Sequence, residues 1–119
     1  MPERLHITRR DASPLVVLDL AGELATADQA LGQAAQQATQ QGARHLLLHF
    51  AGVDYINSLG IASVFQILLA ARAVGQQVFV TGLTPHYQKI FHLMGLDRHL
   101  QVVATEDAAR ASVQDGATP

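Results

Sequence analysis

His45-Leu46-Leu47-Leu48-His49-Phe50, then the stretch from Ser58 to Val74, then Gln77-Val78-Phe79-Val80-Thr81, are the lines of this sequence on which the fold turns. The first and last are short apolar runs, the pattern of strands buried on both faces. The stretch between them is too long for one strand, opens on Asn57 and Ser58, and is closed by Gly75, as a helix would be. A strand, a helix and a strand in that order make a crossover unit, so the two strands run parallel.

Working outward, Leu5 to Arg9 alternates and reads as a strand, Asp11-Ala12-Ser13-Pro14 as a turn, and Leu15 to Leu20 as a more buried strand, giving an opening hairpin. Gly22-Glu23-Leu24-Ala25 breaks the pattern. Thr26 with Gln29 forms a capping-box signature ahead of a helix from Ala27 to Gln41. That helix has a weak apolar face of Ala27, Leu31, Ala34, Ala35 and Ala38, which suits a surface position, and Gly42 ends it. Ala51 to Asn57 reads as a loop. Thr84-Pro85 starts a third helix that runs to about Met94, with Gly95 as its stop. Leu100 to Ala104 is the last strand, and Thr105-Glu106-Asp107 opens a final short helix.

The order is β-β-α-β-α-β-α-β-α: a single α/β domain over residues 1–113, with a mixed, mostly parallel sheet flanked by helices, and a frayed tail at 114–119. Sites in such sheets gather beyond the carboxyl ends of the strands. Three loops qualify: Gly22 to Thr26, Gly52 to Ser58, and Gly82 to Pro85.

Composition narrows the function. The chain has 119 residues, 49% of them hydrophobic, enough for a core without staples. It has no cysteine, which removes disulfides, thiolate metal sites and cysteine nucleophiles. The eight basic residues are scattered and the net charge is −2, so no nucleic-acid footprint is present. Met1 to His6 lacks the apolar core of a secretory leader, and Ile67 to Ala71 is far too short to span a bilayer; a cytoplasmic location without membrane insertion is expected. Six histidines invite a catalytic or metal reading. However, His45 and His49 lie too far apart on a strand to share a metal, and the Gly-x-Ser-x-Gly elbow is missing around Ser58. We expect no cofactor, no metal and no catalysis.

The second helix is apolar nearly all round, which means deep burial or a partner. Its first turn offers unpaired N–H groups and a positive dipole end, a setting that favours an anion such as a phosphoryl group on Ser58. Such a group adds nearly two negative charges beside an apolar surface, enough to change which partner fits. Asn or Ser before an apolar helix is also the ordinary composition of a cap.

Four stretches together resemble STAS-domain anti-sigma-factor antagonists: Leu18 to Leu24, with its Gly-Glu-Leu turn; His45 to Phe50 leading into Val53-Asp54-Tyr55-Ile56; Asn57-Ser58-Leu59-Gly60-Ile61, similar to the family's Asp-Ser-Ser/Thr-Gly-Leu signature; and Val80 to Pro85 followed by Phe91 to Leu96. The resemblance implies a STAS-like fold and a cycle. The unphosphorylated antagonist captures an anti-sigma factor, which is a histidine-kinase-like serine kinase. That kinase phosphorylates the antagonist and so releases it, and a serine phosphatase resets the switch. By this likeness Ser58 is the phosphorylated residue. The partner-binding surface comprises Glu23, Thr26, Asp54, Asn57, Leu59, Gly60, Ile61, Ser63, Thr84 and His86. The sequence departs from the signature at Asn57 and Leu59, and has Ala25 where an acid is common. A non-phosphorylated STAS scaffold in a transporter or stress-signalling assembly is the alternative, and pairing with a second copy is compatible with either.

Overall fold

A computed structural model of the chain describes residues 4–25 and 29–116, the last three of these by backbone alone. Among them, β1 (His6–Ala12), β2 (Leu15–Leu24), β3 (His45–Ile56), β4 (Val78–Thr81) and β5 (Gln101–Val102) form one sheet in that spatial order. β1 is antiparallel to β2, and the other three joins are parallel. The helices are α1 (Ala30–Gln40), α2 (Ser58–Ala73), α3 (Pro85–Leu93) and α4 (Glu106–Gly116), with a 3₁₀ turn at Leu96–Arg98. This is the expected α/β architecture.

The order of strands fixes which face each helix covers. From β2 to β5 the chain steps sideways in one direction, and right-handed crossovers then put α1, α2 and α3 on the same face. Side chains alternate accordingly. Val16, Leu18, Leu46, Leu48, Val78 and Val80 join the core under those three helices, whereas Leu15, Val17, Leu47 and Phe79 meet Ala109 and Val113 of α4 on the other face. Burial on both faces is the reason these strands read as unbroken apolar runs. Phe50 meets Phe91 of α3 edge to face, with centroids 6.0 Å apart, and so anchors the third helix.

The α4 face is pinned at its rim by charge. Arg10 on β1 donates to Asp19 on β2 at 3.1 Å and to Glu106 on α4 at 2.9 Å, and His49 Nδ1 lies 3.0 Å from Asp19 Oδ1. The Arg10 guanidinium holds the Asp19 and Glu106 carboxyls below their usual range. His45 instead has its Nδ1 at 3.1 Å from the backbone N–H of Gln77, whose hydrogen bond it accepts.

Three expectations need correction. Ala51 to Ile56 is not a loop: β3 continues through it, and β2 continues through Gly22-Glu23-Leu24 beside it. The pairing explains the misreading. Asp19 faces His49 but Ala21 faces Gly52, and Gly22 faces Val53 but Glu23 faces Tyr55. β3 therefore carries an extra residue at each step, a bulged pairing that destroys the alternation by which a strand is recognised. In addition, the last strand is confined to Gln101–Val102 and the 3₁₀ turn precedes it. The capping box is corrected too: Gln29, expected three residues past the cap, is itself the N-cap of a helix that starts at Ala30 and makes no side-chain cap bond, while Thr26 lies outside the described residues.

Candidate functional site

The prolonged ends of β2 and β3 carry the chain to the start of α2. Asn57, in extended backbone conformation, is the N-cap, and Ser58 is the first helical residue. Asn57 Oδ1 accepts the N–H groups of Leu59 at 3.0 Å and Gly60 at 3.1 Å. Its amide group donates to the carbonyl of Ala25 at 3.0 Å, and its backbone N–H to the carbonyl of Leu24 at 3.3 Å. One side chain thus caps the helix and staples it to the end of β2.

Gly60 is buried, and a Cβ there would lie 2.0 Å from the carbonyl oxygen of Leu24. Its place in the motif is set by the close approach of α2 to β2. The expectation that Gly60 belongs to the partner-binding surface is corrected by this burial: the backbone that approaches it is the protein's own.

Ser58 is exposed, and among the described residues its hydroxyl has no hydrogen-bond partner. Along the chain it falls between two large side chains that also face solvent, Tyr55 at 47% exposure and Leu59 at 48%. Of the N–H groups in the first turn, those of Leu59 and Gly60 are taken by Asn57 and that of Ile61 by the Asn57 carbonyl. The N–H of Ser58 itself stays open among the described residues. The helix end keeps its positive potential, but most of its donors are committed.

The neighbouring loop is tied to this one. Thr84 caps α3 by accepting the Tyr87 N–H at 3.3 Å, with Pro85 at the first helical position as expected. Tyr87 then accepts, through its hydroxyl, the backbone N–H of Ile56 at 3.0 Å. That bond joins α3 to the residue before the Asn57 cap and brings exposed His86, whose ring lies edge-on to Tyr87, to the same end of the sheet.

The remaining sequence-derived site residues divide as follows. Asp54 is exposed on β3, and Glu23 pairs with Tyr55 across the strands. Ser63 lies one turn into α2 and donates to the carbonyl of Leu59 at 3.1 Å. Ile61 is half-buried against the core. Thr26 lies outside the described residues. Tyr87, with His86 in the turn that follows Thr84-Pro85, could be read from the sequence as lying near the Ser58 loop; Tyr55 is the member that the motif did not identify, and it carries no signal beyond being an aromatic residue in an exposed stretch. No helix among the described residues is long and apolar enough to cross a membrane.

Comparison with known proteins bears on the fold and the family. The family model described as "Mlab, STAS domain" matches residues 7–104. BtrV of Bordetella bronchiseptica, which carries the name of an anti-sigma factor antagonist, is 26% identical over 109 residues, covering 92% of this chain and 93% of BtrV. The anti-sigma factor antagonist SpoIIAA in its unphosphorylated form superposes with a TM-score of 0.70 at 22% identity, covering 93% of this chain and 98% of that one. The Bacillus cell fate determinant SpoIIAA in the phosphorylated form gives 0.68 at 24%, covering 92% and 99%.

Proposed function

The chain belongs to the STAS domain family, and from that premise we propose that it is a cytoplasmic anti-sigma-factor antagonist, acting by binding and switched off by phosphorylation of Ser58. The observation that carries this is the state of the Ser58 hydroxyl: exposed, unpartnered among the described residues, and flanked by Tyr55 and Leu59. A kinase can reach it without unfolding any element. The apolar flanks supply an area for a partner to cover, with Glu23, Asp54, Ser63, Thr84 and His86 as its polar surroundings. A phosphoryl group added there places a dianion in the middle of that area, and docking then requires its desolvation. The partners are an anti-sigma factor that is a histidine-kinase-like serine kinase and a serine phosphatase that reverses it.

The test is to incubate the protein with the cognate kinase and ATP, map phosphate by mass spectrometry, and measure binding. Phosphate at Ser58, retained capture by Ser58→Ala and at least tenfold weaker capture by Ser58→Asp are expected. No modification at Ser58, with full binding by Ser58→Asp, overturns the proposal.

A second reading, an unphosphorylated scaffold subunit of a transporter or stress-signalling assembly, draws on Asn57. Its amide stands where the family signature has an acid, and it already occupies the donors of Leu59 and Gly60. Co-purification with a transporter ATPase, instead of with a kinase, distinguishes it.

A further inference from the structure

The charges of this chain are unevenly placed. Ten acidic and eight basic residues occur in 119, yet none lies between Gln29 and Ala43 or between Tyr55 and Ala71. Those two stretches fold into α1 and α2, which lie side by side on one face of the sheet. The outer surface of this helix pair is therefore free of fixed charge along almost its whole length, ending at Arg72. Depletion of charge is one feature that interface cores share.

Between the two helices runs a groove of about 470 Å³. Its floor includes the buried Ile67 and Ala71, and its rim carries the carboxamides of Gln33, Gln36 and Gln40 on α1 and of Gln66 on α2, all exposed.

We infer that the α1–α2 face pairs with a second copy of this chain about a two-fold axis. The chemistry of the rim selects that occupant. In a two-fold contact each residue meets the same patch on the partner, so a charged patch repels itself. A carboxamide carries a donor and an acceptor together and is complementary to its own kind. Rows of glutamine over an apolar floor fit a second copy without a change of sequence. A charged partner protein or an anionic membrane would meet no counter-charge here. The footprint sets the strength. The 16 residues of α2 span about 24 Å and the 11 of α1 about 16 Å, so two helices about 10 Å wide give roughly 400 Å² per copy, the size of a weak, transient contact. The dimer is a reversible one.

Sedimentation velocity on the full chain, from about 1 μM to about 1 mM, reads the association directly. The expected result is a monomer–dimer equilibrium with its midpoint inside that range. Gln66→Glu and Gln66→Lys each raise the midpoint at least about tenfold, because like charges then face each other, and an equimolar mixture of the two variants recovers dimer. Gln66 is exposed, so both variants should melt as the wild type does, which separates lost pairing from lost folding. A chain that stays monomeric to the top of the range overturns the inference. So does a dimer indifferent to both substitutions, or a small molecule found in the groove of a monomer by native mass spectrometry. Ser58→Ala leaves the midpoint unchanged, so this inference and the switching cycle fail independently.

Discussion

The side-chain amide of Asn57 donates to the carbonyl of Ala25 at 3.0 Å, while the oxygen of the same group caps the first turn of α2. An acid at this position could reproduce the cap but not the donor. Asn57→Asp would set a carboxylate oxygen against the Ala25 carbonyl, and Asn57→Ala would lose cap and staple together. Losses of about 1 kcal/mol for the first and about 2 kcal/mol for the second are expected in urea melts. A stabilised Asn57→Asp would refute this account of the residue.

Gly60 and Gly32 should respond oppositely to alanine. At Gly60 the added methyl group lies 2.0 Å from the Leu24 carbonyl oxygen, so α2 must lift from β2 at a cost of about 3 kcal/mol or more. At Gly32 nothing lies within 4 Å, and the helix gains about 0.5 kcal/mol from reduced backbone freedom in the unfolded chain. Chemical denaturation at a fixed, low protein concentration reads both.

Acid should loosen α4. Asp19 and Glu106 are held below their ordinary values of 3.8 and 4.5, chiefly by hydrogen bonds from Arg10. Carboxyls depressed by folding add stability that is complete above those ordinary values and is lost as pH falls through the folded ones. All three side chains are partly exposed, so the effect is worth about 1 kcal/mol or less and weakens in salt. Arg10→Met should flatten the fall in stability below about pH 5, and hydrogen exchange should localise the change to α4.

His45 makes a separate contribution at milder pH. Burial, and secondarily the charge of Arg44, pushes its folded value below 6.5. The unfolded chain therefore takes up the proton first, so stability is complete above pH 6.5 and declines as pH drops below it. Protonation also removes the acceptor for the Gln77 N–H. Replacing His45 with Gln should abolish this slope, and thermal melts at pH 7.5, 6.5 and 5.5 would reveal a residual slope if the assignment to His45 were wrong.

The sequence disclosed the fold wherever burial is two-sided or a helix end is chemically marked. The runs at Leu46, Val78 and Leu15 and the stop at Gly75 translate directly into β3, β4, β2 and the end of α2. Thr84-Pro85 likewise marks the start of α3. It was silent where two strands slip past one another. The shifts at Asp19/Ala21 and Gly22/Glu23 leave buried residues at Phe50, Val53 and Ile56, a spacing of three that matches no regular strand. Ser58 could be found by motif, but the division of labour around it could not. Which of Asn57 and Ser58 is the cap, why Gly60 is small, and the tie from Tyr87 to Ile56 depend on groups distant in sequence meeting through tertiary packing.

The occupancy of the Leu59 and Gly60 donors by Asn57 bears on how information could be stored at this corner of the molecule. An ester formed on the neighbouring hydroxyl would find those two donors taken, with the Ser58 N–H left open among the described residues. With the Asn57 cap intact, the architecture beneath has no cause to rearrange. The two forms would then share one shape and differ in surface alone, leaving discrimination to the visiting protein.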